Sequence, residues 1–318
     1  MAGLGDGQGT GDDPRRHIPA LIEARWSAER AAELRAFVER YYAGVAAEDL
    51  AGRTPADLYA AALAHWRLAA RRAPGEPAVR VYNPDPEADG WESGHTVVDL
   101  VVEDRAFLTD SLTLALQEQG LGIHVLIHPL LPVRYAEDGA GLVRDASDPA
   151  AVRTAFLHFE VDRRSSPEQL EALRKRLLGV LADVATVVDD WEAMQGRLLA
   201  AAEELRRCPP ASGDTAELEE IDAFLHWAAE HHFTFLGYRA YTLRRDAEGL
   251  YLVPDPDTAL GLLRRAPADA SLRFAALPAE VQQRALEPEP LILTQSNARA
   301  PVHRRGHMDY LGVKRFDA

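Results

Sequence analysis

The spacing of apolar residues predicts that the chain begins with helices. Over residues 27–50 apolar side chains recur at intervals of three and four, which places them along one face of an amphipathic helix. A second helix is predicted from Thr54, because a threonine cap followed by proline and aspartate satisfies the free amides of a helix start. Residues 27–75 are therefore predicted as a helical hairpin. The Gly- and Asp-rich start predicts a flexible tail over residues 1–26.

After the hairpin, the spacing of apolar residues changes from a helical to a strand-like pattern. The run Thr96–Val102 is apolar and rich in β-branched residues, as in a strand with at least one covered face. The pattern further along predicts a helix, two strands and a second helix, at residues 106–116, 123–129, 152–161 and from Ser166 onward. This order is typical of ferredoxin-like domains, so residues 76–165 are predicted as an α+β domain of that type.

A helical period continues from residue 166 to about residue 205, which is longer than most globular helices. Two consecutive helices on one core fit this pattern, and so does a single projecting helix used for oligomer contacts. Residues 166–230 are predicted as a helical connector. After it, the alternating aromatic run Phe233–Tyr241 predicts a strand, Asp246–Gly249 a turn and Leu250–Val253 the returning strand of a hairpin. Residues 231–318 are therefore predicted as a β-rich domain, and whether that domain is complete stays open.

Composition argues against several classes of function. The 318 residues include 35 Lys and Arg against 50 Asp and Glu, which leaves a net charge of −15. This acidic excess argues against nucleic-acid binding, which requires a basic surface for the phosphates. The single cysteine, Cys208, allows no intrachain disulfide, and the sequence has neither a signal-peptide pattern nor an apolar run of membrane-spanning length. We therefore expect a cytoplasmic protein whose partners include neither nucleic acid nor membrane.

The sequence contains no evident catalytic or cofactor-binding constellation. Its Gly-rich start lacks the strand and the βαβ unit that a dinucleotide fingerprint requires. His124, His128 and His158 are the best metal candidates, but four residues along a strand separate two rings by more than about 10 Å. The sequence therefore predicts no catalytic residue, no cofactor site and no metal site in this chain.

Three stretches resemble a known family. The run His-Phe-Thr-Phe-Leu-Gly-Tyr-Arg at His232–Arg239, with Leu293–Arg299 and Leu311–Asp317, resembles the N-terminal, non-catalytic part of the very large NAD-specific glutamate dehydrogenases. The resemblance implies a parent enzyme that deaminates L-glutamate to 2-oxoglutarate and ammonia while it reduces NAD. It implies a regulatory and assembly role for this chain, with NAD needed only by the full-length enzyme. The implied partners are the missing catalytic region and the other subunits of a homo-oligomer.

Within the α+β domain, residues 102–108 and 119–123 resemble an ACT domain, a small amino-acid-sensing module. Such domains hold a ligand carboxylate on free backbone amides between a strand and a helix. The resemblance implies an amino-acid effector site at Asp104, Arg105, Phe107 and Leu108. However, Ala106-Phe107 replaces the family's Pro-Gly, and phenylalanine does not allow the close backbone approach of glycine. This departure favours a structural or subunit-contact role for the turn.

The sequence as a whole predicts an α+β protein with four modules in succession. They are a helical hairpin, a ferredoxin-like (ACT-like) module, a long helical connector and a β-rich module. An autonomous ACT-like amino-acid-sensing or scaffold protein is the alternative to a segment of a larger dehydrogenase.

Overall fold

The structure, a computed structural model, describes residues 13–50, 52–136, 139–142, 147–210, 214–247, 249–265, 272–273 and 286–316. These residues form both helices and antiparallel sheets, in agreement with the predicted α+β class. Their contacts define two units. The first comprises Met1–Asp104 and Ala115–Gly179, and the second Arg105–Leu114 and Val180–Ala318. None of the described helices is both long enough and apolar enough to cross a membrane.

The secondary-structure elements are numbered along the chain. The α-helices are Ile18–Glu23 (α1), Ala28–Tyr41 (α2), Pro55–Ala70 (α3), Leu108–Glu118 (α4), Pro167–Asp189 (α5), Trp191–Arg207 (α6) and Thr215–Trp227 (α7). The first six strands are Ala78–Tyr82 (β1), Thr96–Glu103 (β2), Ile123–Ile127 (β3), Leu130–Ala136 (β4), Gly139–Leu142 (β5) and Val152–Val161 (β6). The later strands are Gly237–Tyr238 (β7), Tyr241–Asp246 (β8), Gly249–Pro254 (β9), Leu260–Gly261 (β10), Leu272–Arg273 (β11), Leu291–Arg299 (β12) and His307–Val313 (β13).

Helix α3 of the first unit forms where the sequence predicts it, whereas the helix predicted over residues 27–50 ends at Tyr41 and a separate 3-10 turn follows at Ala47–Leu50. Leu34, Phe37 and Tyr41 lie on one face of α2 and are at most 2 % exposed. At the start of α3 the Thr54 hydroxyl accepts the Asp57 amide at 3.1 Å, as the cap motif predicts. Both helices share one hydrophobic core with residues of the sheet.

The prediction of a flexible tail through residue 26 does not hold for residues 14–23. Pro14–His17 forms a 3-10 turn, and α1 follows it directly. Ile18 and Ile22 of α1 are 1 % and 0 % exposed and belong to the core of the first unit. Two isoleucines in so short a helix are too few to produce a periodic signal in the sequence. Residues 1–12 lie outside the described residues.

The sheet of the first unit has the strand order β1-β2-β6-β4-β5, and β3 also pairs with β6. All of these pairings are antiparallel. Strands β2 and β6 pair along almost their whole length, and this register places Asp99 opposite His158. Because cross-strand partners point to the same face of a sheet, these two side chains lie side by side.

The long helical stretch consists of two consecutive helices, one of the two interpretations that the pattern left open. Helix α5 ends at Asp189, and α6 begins after the single residue Asp190, which is 7 % exposed. The Asp190 carboxylate accepts the Gly261 amide at 2.7 Å and two nitrogens of Arg264 at 2.5 and 2.6 Å. The position of the break is therefore stabilised by residues more than 70 positions later in the chain.

The second unit contains short sheets packed on a helical core. Helices α6 and α7 form most of this core, and aromatic residues of the following segment and aliphatic residues of β12 and β13 pack against it. The predicted hairpin near residue 247 is present as β8 and β9, and β12 pairs with β13. The predicted aromatic strand after residue 232 is regular only at β7, where it pairs with β10. Phe233 and Phe235 pack into the helical core instead.

A close backbone contact explains why β10 ends in glycine. Gly261 has φ +58°, and a Cβ atom there would lie 2.4 Å from the Leu236 carbonyl oxygen. We expect Gly261→Ala to lower the free energy of unfolding by roughly 2 kcal/mol more than Gly120→Ala, because overpacking adds to the cost of the backbone conformation. Gly120 is a matched control, since its φ also lies in the left-handed region, at +68°, while no atom lies within 4 Å of the added Cβ. Urea unfolding of both variants measures the difference, and equal losses would show that the contact relaxes without cost.

Candidate functional site

The charged residues of the predicted effector site already have protein partners. Asp104 belongs to the first unit, where its amide donates to the Arg153 carbonyl at 2.9 Å and its carboxylate lies 2.8 Å from Arg153 Nε. Arg105 belongs to the second unit and forms an ion pair with Asp189. An amino-acid ligand at either residue would have to compete with these partners.

Phe107 adopts the backbone conformation that glycine favours. Its φ of 65° lies in the left-handed region, which is costly for a bulky residue. The Phe107 carbonyl accepts the amide and the hydroxyl of Ser111, at 3.0 and 2.6 Å, and this closes the first turn of α4. The Phe107 ring lies 4.4 Å from the His303 ring, and Leu108 is 3 % exposed. Protein side chains thus pack this turn, which supports the structural alternative.

A network of buried ionisable residues lies on one face of the sheet in the first unit. Its centre is Asp99 on β2, which is 1 % exposed. His158 of β6 donates from Nδ1 to Asp99 Oδ1 at 2.6 Å, and the Tyr82 hydroxyl of β1 donates to Oδ2 at 3.0 Å. Three neighbouring strands therefore supply one hydrogen-bonded group.

Glu160 extends the network along β6. Its Oε1 accepts from Arg53 Nη1 at 2.5 Å and lies 3.4 Å from His158 Nε2. Its Oε2 accepts the Ser93 hydroxyl at 3.0 Å and lies 3.3 Å from His95 Nδ1. The Glu160 side chain is only 1 % exposed, so these partners replace the water that it loses.

His65 connects the helices to this network. Its Nε2 lies 3.0 Å from the Leu100 carbonyl, which can only accept, so Nε2 carries a proton. Its Nδ1 lies 3.0 Å from the Tyr41 hydroxyl and 3.8 Å from Asp99 Oδ1. In the neutral ring Nδ1 therefore accepts from Tyr41. Through these contacts α2 and α3 are joined to β2.

Burial and neighbouring charges determine the protonation states. Burial lowers the pKa of His158, but the charges and hydrogen bonds of Asp99 and Glu160 outweigh it and raise the pKa to about 9. Burial lowers the pKa of His65, and the Asp99 charge offsets only part of this effect. Burial raises the pKa of the Asp99 and Glu160 carboxyls, yet their charged partners outweigh it, so both pKa values lie below the usual range. At neutral pH the two carboxylates therefore balance His158 and Arg53, while His65 is uncharged.

The histidines that the sequence suggested as metal ligands are not brought together. His158 is buried beside Asp99, whereas His124 is exposed and its Nε2 lies 2.7 Å from Asp162 Oδ1. His128 follows the end of β3. The group of ligating atoms that the structure does bring together belongs to His65, Asp99 and His158, with all three atoms within 4.8 Å of one another.

Sequence reasoning missed His65 and Asp99, although each leaves a weak signal. Asp99 is the one charged residue inside the apolar run Thr96–Val102, and such a residue needs a buried partner. His65 lies on the apolar face of α3, where it is 0 % exposed. Neither signal identifies the partner, because the strand register and the helix packing decide which side chains meet. His65, Asp99 and His158 are buried, and together they can stabilise the fold and bind protons or an ion.

Comparison with known proteins shows which family this α+β chain resembles. A family profile described as "Glutamate dehydrogenase, ACT1 domain" matches residues 37–177. The NAD-specific glutamate dehydrogenase of Halomonas elongata is 34 % identical over 310 residues, which cover 96 % of this chain and 19 % of that protein. The enzyme of the same name from Pseudomonas aeruginosa is 33 % identical over 88 % of this chain and 18 % of its own length. That of Mycobacterium tuberculosis is 28 % identical over 66 % of this chain and 13 % of its own length.

These matches confirm the resemblance inferred from the sequence motifs. The chain belongs to the family of large NAD-specific glutamate dehydrogenases, and residues 37–177 correspond to its ACT1 domain. It spans about a fifth of the length of the curated relatives that it matches most fully.

Proposed function

We propose that this chain is the N-terminal regulatory and assembly segment of a large NAD-specific glutamate dehydrogenase, without the catalytic domain. The main observation in support is that 96 % of the chain aligns with only 19 % of a relative of that name. The parent reaction is the NAD-dependent deamination of L-glutamate to 2-oxoglutarate and ammonia. NAD is then the cofactor of the parent enzyme, bound by a region outside this chain.

We propose that this segment contains four modules in succession. The proposed order is a helical hairpin, an ACT-like domain over residues 76–165, a helical connector over residues 166–230 and a β-rich domain. The proposed partners are the catalytic region of the same polypeptide and the other subunits of a cytoplasmic homo-oligomer. The buried network supports a structural role, because it fixes the helices on the sheet.

The purified 318-residue chain is expected to produce no NADH from L-glutamate and NAD, because the catalytic region is absent. The absorbance of NADH measures this directly, and a full-length relative assayed under the same conditions is the positive control. Turnover by the pure chain that persists through further purification would contradict the proposal.

The mass of the native polypeptide distinguishes the proposal from its alternative, an autonomous ACT-like sensor or scaffold protein. An antibody raised against residues 75–165 should detect a band several-fold heavier than 34.9 kDa in the source cells. A band at 34.9 kDa would favour the autonomous protein, and amino-acid binding would then be its first function to test.

Amino-acid binding at Asp104, Arg105, Phe107 and Leu108 remains part of the proposal. If Arg105 receives a ligand carboxylate, the ligand competes with Asp189, its partner in the second unit. Arg105→Ala should then weaken binding about tenfold or more, the value of one charge-assisted hydrogen bond, and Asp189→Asn should strengthen it. Calorimetric titration with L-glutamate and L-aspartate measures both effects, with Arg207→Ala as a control for lost surface charge. Equal affinities in all variants would exclude this turn as the effector site.

A further inference from the structure

The centre of the buried network has the geometry of a metal site. The Nδ1 atoms of His65 and His158 both face the same oxygen, Asp99 Oδ1, at 3.8 and 2.6 Å. Ligand atoms around a tetrahedral zinc ion lie about 3.4 Å apart, since each is about 2.0–2.2 Å from the metal. The observed separations lie on either side of that value. Shifts of less than about 1 Å would therefore place all three atoms around one ion.

The ring nitrogens that face away from this centre are held by other protein groups. His65 Nε2 donates to the Leu100 carbonyl at 3.0 Å, and His158 Nε2 faces Glu160 Oε1 at 3.4 Å. Histidines that bind metals almost always donate their second nitrogen to a carbonyl or a carboxylate, which fixes the ring and its tautomer. Both histidines meet this condition, and both leave Nδ1 for the centre.

The remaining donors complete a closed site. Asp99 Oδ2 accepts the Tyr82 hydroxyl at 3.0 Å, which leaves Oδ1 for an ion. The Tyr41 oxygen lies 3.0 Å from His65 Nδ1 and supplies a fourth donor atom. That separation is close to the spacing of ligand atoms around a tetrahedral zinc ion, so we assign Tyr41 as the fourth ligand.

We propose that His65, Asp99, His158 and Tyr41 form a structural binding site for one divalent transition-metal ion, with zinc as the best fit. Imidazole and carboxylate ligands suit zinc, and structural zinc sites have four protein ligands without an open position. The ion would join α2 and α3 to strands β2 and β6 inside the first unit. This role is independent of the catalytic identity of the parent enzyme.

The test compares metal binding by the purified 318-residue chain and its variants. Elemental analysis of protein prepared without chelator should find about one zinc ion per chain. After removal of metal by refolding in chelator, zinc or cobalt should raise the thermal midpoint by about 5 °C or more at a hundredfold excess over Kd. Bound cobalt should also show the intense visible absorption of a tetrahedral site. His158→Gln and Asp99→Asn should abolish all three signals.

His124→Gln is the matched control, because it removes an exposed histidine of the same unit that also pairs with an aspartate. It should keep the metal content and the cobalt spectrum of the unmodified chain. A response that disappears in His124→Gln and persists in His158→Gln would overturn the proposal, since the ion would then bind at the surface. Absence of metal together with no midpoint shift from either ion would also overturn it. If the buried variants fail to fold, the cobalt spectrum of the unmodified chain is the deciding measurement. The intense absorption of a tetrahedral site supports the proposal, and its absence overturns it.

Discussion

Asp99→Ala is expected to lower the free energy of unfolding by about 3–5 kcal/mol, the usual cost of removing one partner from a buried ion pair. Asp99 is 1 % exposed and accepts hydrogen bonds from His158 and Tyr82. Without it the charged His158 ring loses its closest acceptor, and the Tyr82 hydroxyl has to find another. Urea unfolding at neutral pH in the presence of a chelator measures this loss free of any contribution from metal.

Asp162→Ala is the matched control for this prediction. Asp162 also pairs with a histidine, His124 at 2.7 Å, and accepts the Gly122 amide at 2.7 Å, but its side chain is 52 % exposed. Water and salt screen such contacts, so the loss of stability should be small, well below that of Asp99→Ala. Equal shifts in the two variants, or a loss below about 1 kcal/mol for Asp99→Ala, would mean that burial does not strengthen the central pair.

Stability is expected to be greatest near pH 6.5 and to fall on both sides, because the two buried histidines have opposite pKa shifts. The pKa of His158 rises from 6.5 to about 9 on folding. Below pH 6.5 both folded and unfolded chains hold this proton, and between pH 6.5 and about 9 only the folded chain holds it. The contribution of His158, roughly 3 kcal/mol, is therefore present at the lower pH and is lost as the pH rises through this window.

His65 has the reverse effect. Burial lowers the pKa of His65 below the usual histidine value of 6.5, so only the unfolded chain takes up this proton as the pH falls past that value. Unfolding is then favoured on the acid side, before the carboxylates contribute. Urea midpoints measured across this range in the presence of a chelator should give a maximum, and His158→Gln should flatten the alkaline side while His65→Gln flattens the acid side. An alkaline side that is equally steep in His158→Gln would contradict the assignment.

The local sequence pattern was sufficient to predict those elements of the fold that are determined by residues close together in sequence. The stripe of α2, the cap of α3 at Thr54 and the turn between β8 and β9 each depend on residues within a few positions. The strand β2 follows from its apolar run in the same way. Such elements form wherever their own residues satisfy the backbone and bury one face.

Features fixed by distant residues were not predictable. The helical period continues on both sides of Asp190, and the break there depends on Gly261 and Arg264. Likewise, Asp99 and His158 are 59 positions apart, and only the register of β2 on β6 makes them neighbours. The sequence pattern could place His124, His128 and His158 on strands, but it could not show that Asp99 and His65 are the neighbours of His158.

The separation of Asp99 from His158 also has a consequence for synthesis of the protein. At ribosomal rates of about 5–20 residues per second, the 59 positions correspond to about 3–12 s during which the nascent chain carries Asp99 without its partner. Burial of β2 in that interval would leave an uncompensated carboxylate in an apolar environment, which is costly. The sheet should therefore close only after β6 has left the ribosome, and until then the apolar residues of β2 remain accessible to chaperones.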